Sequence, residues 1–181
     1  MEGSEDLSLE RELEGYGSSD SLDDFLRSFK HFGFRARQEL RRAERYCEYL
    51  SCLTITVTST GKVSEAAQIL NYGNREEMLE GLRRVVKSSV RETDITSGFE
   101  QDRLALLLVE TPRSGADSLS KRLQQNIQDF LVSNVASEES WKVSFTVLSF
   151  PDTVNTRDDF LAHLDSLVVG KGAEVSQGNV G

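Results

Sequence analysis

The stretch Arg91–Thr111, RETDITSGFEQDRLALLLVET, decides how the chain folds. Ile95–Phe99 and Arg103–Glu110 both have strand character, and the polar residues between them, Glu100 to Asp102, leave room only for a tight turn. The second segment is apolar at consecutive positions from Leu104 to Val109, as expected of a strand covered on both faces. Arg91 and Asp94 stand immediately before the first strand. The expectation is a β-hairpin with Glu100–Asp102 at its exposed tip and an Arg-x-x-Asp corner at its entrance.

Working outward, Met78, Leu79, Leu82, Val85, Val86 and Val90 hold a 3.6-residue period. Asn74-Arg-Glu-Glu77 reads as the start of that helix, with Asn74 as cap and acids in the first turn. Ser64–Leu70 shows no decisive period. Leu50–Thr58 alternates as a strand, with Leu53, Ile55 and Val57 on one side and Cys52, Thr54, Thr56 and Thr58 on the other. Arg35–Tyr49 before it is a helix with Leu40, Ala43 and Cys47 on one face. Its arginines, Arg35, Arg37, Arg41, Arg42 and Arg45, interleave with Glu39 and Glu44 as a solvated face. Asp20–His31 carries Leu22, Phe25, Leu26 and Phe29 at helical spacing, and Gly33 is expected to part the two helices.

Downstream, Ser114–Leu131 is a helix with Leu119, Leu123, Ile127 and Phe130 inward, and Trp141–Phe150 alternates as a strand. Thr156-Arg-Asp-Asp159 resembles a capping box with Asp for the usual Glu, opening a last helix through Phe160, Leu161, Leu164 and Leu167. The order is α-α-β-α-β-β-α-β-α. Its centre, β-α-β-β-α-β, is the ferredoxin-like plan, an α/β (α+β) fold that hosts many unrelated functions.

A net charge of −9 and a pI near 4.8 argue against nucleic acid as a partner. The longest apolar run, Leu104–Val109, is far too short to span a bilayer. No secretion signal opens the chain, so the cytoplasm is the expected compartment. Cys47 and Cys52 lack a companion His or Cys cluster, so reduced thiols are expected rather than a disulfide or zinc site. Residues 1–19 read as an acidic, Ser- and Gly-rich tail or linker, 20–169 as the folded domain, and 170–181 as a Gly-rich flexible tail.

The hairpin resembles the signature of GGDEF domains, the diguanylate cyclase family of bacterial signalling. That signature runs R-x-x-D, a short strand, the turn G-G-D/E-E-F and an apolar strand. Arg91 and Asp94 fall on R-x-x-D, and Glu100, Gln101, Asp102, Arg103 and Leu104 on the five turn positions. The likeness extends to Arg42-Ala43-Glu44-Arg45 with the strand that follows, to Leu79, to Val143–Phe150, to Leu164-Asp165 and to Lys171. It covers about Leu22 to Val180.

Active members, as the resemblance implies, hold two magnesium ions with an Asp of the first strand and the acid at the third turn position. Here Thr56 and Thr58 stand at the first-strand D-x-D positions, and only Asp102 keeps its type in the turn. A hydroxyl is a poor ligand for a hard dication, so magnesium is not expected. Glu100 and Gln101 replace two glycines that let the backbone approach substrate. Thr60-Gly61 and roughly Ser64-Glu65 replace the family's F-K and N-D residues. Arg91 and Asp94 keep the family's inhibitory-site pattern, which binds cyclic di-GMP.

The leading reading is a degenerate GGDEF module without catalysis. It would act on a protein partner or its own sensor domain, with cyclic di-GMP as a possible ligand at Arg91 and Asp94. Two alternatives stay open: an active cyclase with altered metal ligands, and a nucleotide-free ferredoxin-like domain working as a homodimer.

Overall fold

The computed structural model describes residues 28–59, 65–100, 102–134 and 141–169, with backbone alone at 59, 65–74 and 167–169. In chain order the elements are α1 (Phe29–Tyr46), β1 (Leu50–Ser59), α2 (Glu65–Ser89), β2 (Ile95–Thr96), β3 (Arg103–Val109), α3 (Arg113–Asn134), β4 (Trp141–Phe150) and α4 (Arg157–Val169). The four strands form one antiparallel sheet in the order β2-β3-β1-β4, the ferredoxin-like arrangement expected from the sequence.

Alternation along the strands sorts the core into two layers. Leu53, Ile55 and Val57 of β1 join Leu104, Leu106 and Leu108 of β3 under α2 and α3, which contribute Met78, Leu82, Val86, Leu123 and Ile127. On the opposite face Leu50, Cys52, Ala105 and Leu107 meet Phe29, Phe32, Ala36, Leu40 and Ala43 of α1 and Phe160 and Leu164 of α4. The uninterrupted apolar run of β3 is thus buried on both sides. At Gly81 the two helices of the first layer come close: a Cβ there would collide with the Phe130 ring.

Gly33 does not divide the N-terminal helical region. It is buried inside α1, because Phe29, Phe32, Ala36, Leu40 and Ala43 carry one apolar stripe straight through it. A single internal glycine costs only about 1 kcal/mol, which that burial outweighs. Ser28 caps α1, its Oγ accepting from the His31 N–H (3.2 Å). The helix ends before the expected Tyr49. Cys47 takes the left-handed conformation (φ 55°) and the Glu48 N–H donates to the Ala43 carbonyl at 2.9 Å.

Asn74 is not a cap either: it lies inside α2, which starts at Glu65. The helix-compatible Glu65-Ala-Ala-Gln-Ile-Leu continues the helix backwards, and intrinsic capping preference yields to it. Thr156 does cap α4, accepting from the Asp159 N–H at 3.2 Å and donating to its carboxylate at 2.5 Å. The cysteines are free thiols, Cys47 exposed and Cys52 buried. Burial pushes the Cys52 thiol up to about 12. The tails expected at 1–19 and 170–181, and the helix segment 20–27, lie outside the described residues.

Candidate functional site

The hairpin forms as read from the sequence, but its first strand is shorter. Ile95 and Thr96 pair with Leu107 and Leu106, and β2 stops there. At Ser97 the side chain enters the ladder: the Ala105 N–H donates to Ser97 Oγ (2.8 Å), which donates in turn to the Gly98 carbonyl (2.7 Å). A hydroxyl that competes for backbone partners breaks strand regularity. Pairing resumes at the tip, where Glu100 and Arg103 exchange N–H···O bonds of 2.8 and 2.9 Å. Asp102 closes the turn at φ 62°, a conformation that Asp tolerates better than most residues. Gln101 lies outside the described residues.

The tip charges are engaged rather than free. The Glu100 carboxylate accepts from the Phe29 N–H at 2.6 Å, at the first turn of α1. Helix N-termini present unpaired N–H groups and a partial positive charge, so a carboxylate is favoured there. Arg103 lies over the Phe29 ring, 5.6 Å from its centroid. Asp102 forms an ion pair with Arg75 of α2, and the same guanidinium stacks on Trp141 of β4 at 5.9 Å.

Thr56 sits between Arg103 and Ser144 in the sheet register, and Thr58 is paired with Lys142. The Val57 N–H donates to the Asp102 carbonyl at 2.8 Å, so the fold brings the two threonines beside the tip. Their row on β1 continues that of Cys52 and heads toward α1, whereas the Asp102 carboxylate is turned to α2. Thr58 Oγ1 is close to the Lys142 carbonyl (3.4 Å). Beside the tip, a hollow of about 300 Å³ lies between α2 and the hairpin, with Glu76, Glu80, Arg83, Phe99 and Glu100 on its walls. Arg83 is forked onto Glu80 at 2.6 and 2.8 Å, and that hydrogen bonding raises its pKa.

Arg91 and Asp94 share a tight turn before β2. The Asp94 carboxylate accepts from the Arg91 backbone N–H (3.0 Å), and the Asp94 N–H donates to the Arg91 carbonyl (3.1 Å). The two side chains do not form an ion pair. The Arg91 guanidinium is exposed, with no hydrogen bond or ion pair among the described residues, and Asp94 Oδ1 also lacks a partner there.

These features agree with independent comparisons. The family model "Diguanylate cyclase, GGDEF domain" matches residues 71–169, more than half of the chain. The chain belongs to the GGDEF family. Solved GGDEF domains share the fold. That of YfiN (TpbB) from Pseudomonas aeruginosa is 22% identical with a TM-score of 0.53, over 77% of this chain and 86% of that one. DgcB of Caulobacter crescentus, solved with c-di-GMP, is 8% identical with a TM-score of 0.59, over 79% and 83%. The diguanylate cyclase SiaD of P. aeruginosa, solved with its activator SiaC, is 17% identical with a TM-score of 0.57, over 92% and 61%. No curated protein matches the chain in sequence.

For the magnesium that the GGDEF family implies, the chain offers Asp102 and the hydroxyls of Thr56 and Thr58. Among the described residues no three His, Cys, Asp or Glu side chains gather where they could hold a metal ion. Asp102 is committed to Arg75, and its neighbours on β1 are hydroxyls. No helix among the described residues is long and apolar enough to cross a membrane. Sequence reading missed Arg75, whose opposition to Asp102 depends on how α2 packs, and the contact of Glu100 with α1. The only linear signal for either was unbalanced charge.

Proposed function

We propose that this GGDEF domain is a catalytically silent signalling module that works through protein contacts and takes cyclic di-GMP at Arg91 and Asp94. The observation that carries the reading is the Arg75–Asp102 ion pair beside Thr56 and Thr58. It leaves Asp102, the acid at the third turn position, already neutralised by a cation of the protein itself. Two metal ions on a triphosphate need clustered carboxylates, and hydroxyls do not replace them. The acidic walls of the neighbouring hollow add to this. Like charges about 4 Å apart repel by roughly 1 to 4 kcal/mol even when screened.

The ligand part rests on the corner before β2. An exposed guanidinium without a partner among the described residues offers a planar fork to phosphate or to a guanine edge, and a carboxylate can accept from guanine N–H donors. A protein partner or an attached sensor domain would then read the ligand state. Calorimetric titration separates the alternatives. The proposal expects cyclic di-GMP to bind and magnesium to add nothing to the affinity for GTP. Magnesium-dependent GTP binding would favour the active cyclase, and silence toward every nucleotide would favour the nucleotide-free dimerisation domain.

A further inference from the structure

The hairpin tip is tied to two helices by adjacent charges, and the geometry points to a mechanical relay between the entrance of α1 and the α2 side of the tip. Glu100 is held by the Phe29 N–H at 2.6 Å, and Arg103 lies 5.6 Å over the Phe29 ring, so two tip residues grip the first turn of α1. Asp102 is held by Arg75, which stacks on Trp141. Between the two grips the turn is closed by Glu100 and Arg103, which exchange both backbone hydrogen bonds, and the Asp102 carbonyl is pinned by the Val57 N–H at 2.8 Å.

Such a turn has little slack. A displacement of Phe29 either breaks the Glu100 contact or drags the turn, and dragging the turn moves Asp102 against Arg75. The described chain enters the domain at Ser28 and Phe29, so a displacement there acts on Glu100 first. Glu100 would then be a positioning residue: it converts the place where the family has a glycine into a strap. Energetic coupling between two sites is reciprocal, so the relay must run both ways. It deepens the signalling reading by naming how input reaches the tip, but it does not depend on catalytic silence or on any nucleotide.

The test uses the full chain without nucleotide. The single tryptophan gives one indole N–H resonance, a reporter for Arg75 that Glu100 does not touch. In Glu100→Gln, exchange of the Phe29 amide should speed up by roughly tenfold or more, because a charge-assisted bond is lost. The Trp141 indole resonance should shift as well. In Arg75→Gln, with Asp102→Asn as a second variant from the same side, Phe29 amide exchange should quicken. Glu110→Gln, at an exposed pair with Arg42 away from the tip, should move neither signal. The remaining amide resonances report that each variant is folded. The relay is overturned if Glu100→Gln affects Phe29 alone, if transmission runs in one direction only, or if Phe29 exchange is unchanged. The first two results would leave Glu100 as a helix cap, and the third would remove the contact itself.

Discussion

At the corner before β2 the Arg91 guanidinium stands exposed and without a partner among the described residues, whereas at the tip of the same hairpin Glu100, Asp102 and Arg103 are each held by a neighbouring element. The same charged residue types behave differently because of what packs beside them. Arg91 and Asp94 spend their backbone on a turn, which leaves the guanidinium available. The tip lies between the first turn of α1 and Arg75 of α2, and intramolecular partners use up its charges. The proposal therefore puts a ligand-sized anion at the entrance of the hairpin rather than at its tip.

The largest effect should come from the strand that joins the two ends. Leu106 is fully buried in β3. Leu106→Ala should cost about 2–5 kcal/mol through lost burial and an unfilled cavity, read as a lowered urea midpoint. A change well below that would mean that β3 is not the shared spine of both ends.

Arg91→Ala should come next. Removing a charge-assisted fork costs about 1.5–3 kcal/mol, so affinity for cyclic di-GMP should fall more than tenfold. Titration of the variant beside Arg75→Ala sharpens the contrast, because Arg75→Ala should leave that affinity unchanged. Equal losses from both would erase the distinction between entrance and tip.

The Arg75–Asp102 pair is about one-third exposed on each side, so solvent screens it. A double-mutant cycle with Arg75→Ala and Asp102→Asn should return a coupling of about 0.2–1 kcal/mol. A coupling of zero would show that the tip acid is not tied down.

The smallest effect belongs to neither end. His163 of α4 has its pKa lowered by burial, and its Nε2 lacks a partner among the described residues. The unfolded chain therefore takes up the proton more readily than the folded one. The stability contribution is complete above the ordinary imidazole pKa of ~6.5 and declines as pH falls below it. His163→Gln should flatten the pH dependence of the melting temperature on the acid side, and an unchanged slope would assign it to other groups.

Much of this fold was legible in the residues. The continuous apolar run of β3 and the alternation of β1 gave both layers of the core, because each strand's pattern reports which faces are covered. Thr156 capped α4 as its spacing suggested. Gly33 and Asn74 misled because local preferences of about 1 kcal/mol or less give way to burial and to helix continuing from upstream. Phe99 did not extend β2 because the Ser97 hydroxyl took the Ala105 N–H. At the site, the residue types at 56, 58, 91, 94 and 100–104 could be read directly. Their partners could not, since Arg75 and Phe29 reach the tip only through tertiary packing.

The most direct test of the central claim is product analysis after purified protein is incubated with GTP and magnesium or manganese, beside a Thr56→Asp variant. The account predicts no cyclic di-GMP above a no-enzyme control in either sample. One restored carboxylate leaves Asp102 bound to Arg75 and Glu100 bound to α1, and each 1.36 kcal/mol of missing transition-state stabilisation is about tenfold in rate. Cyclic di-GMP above the control in the wild-type sample would contradict the account and establish an active cyclase with altered ligands.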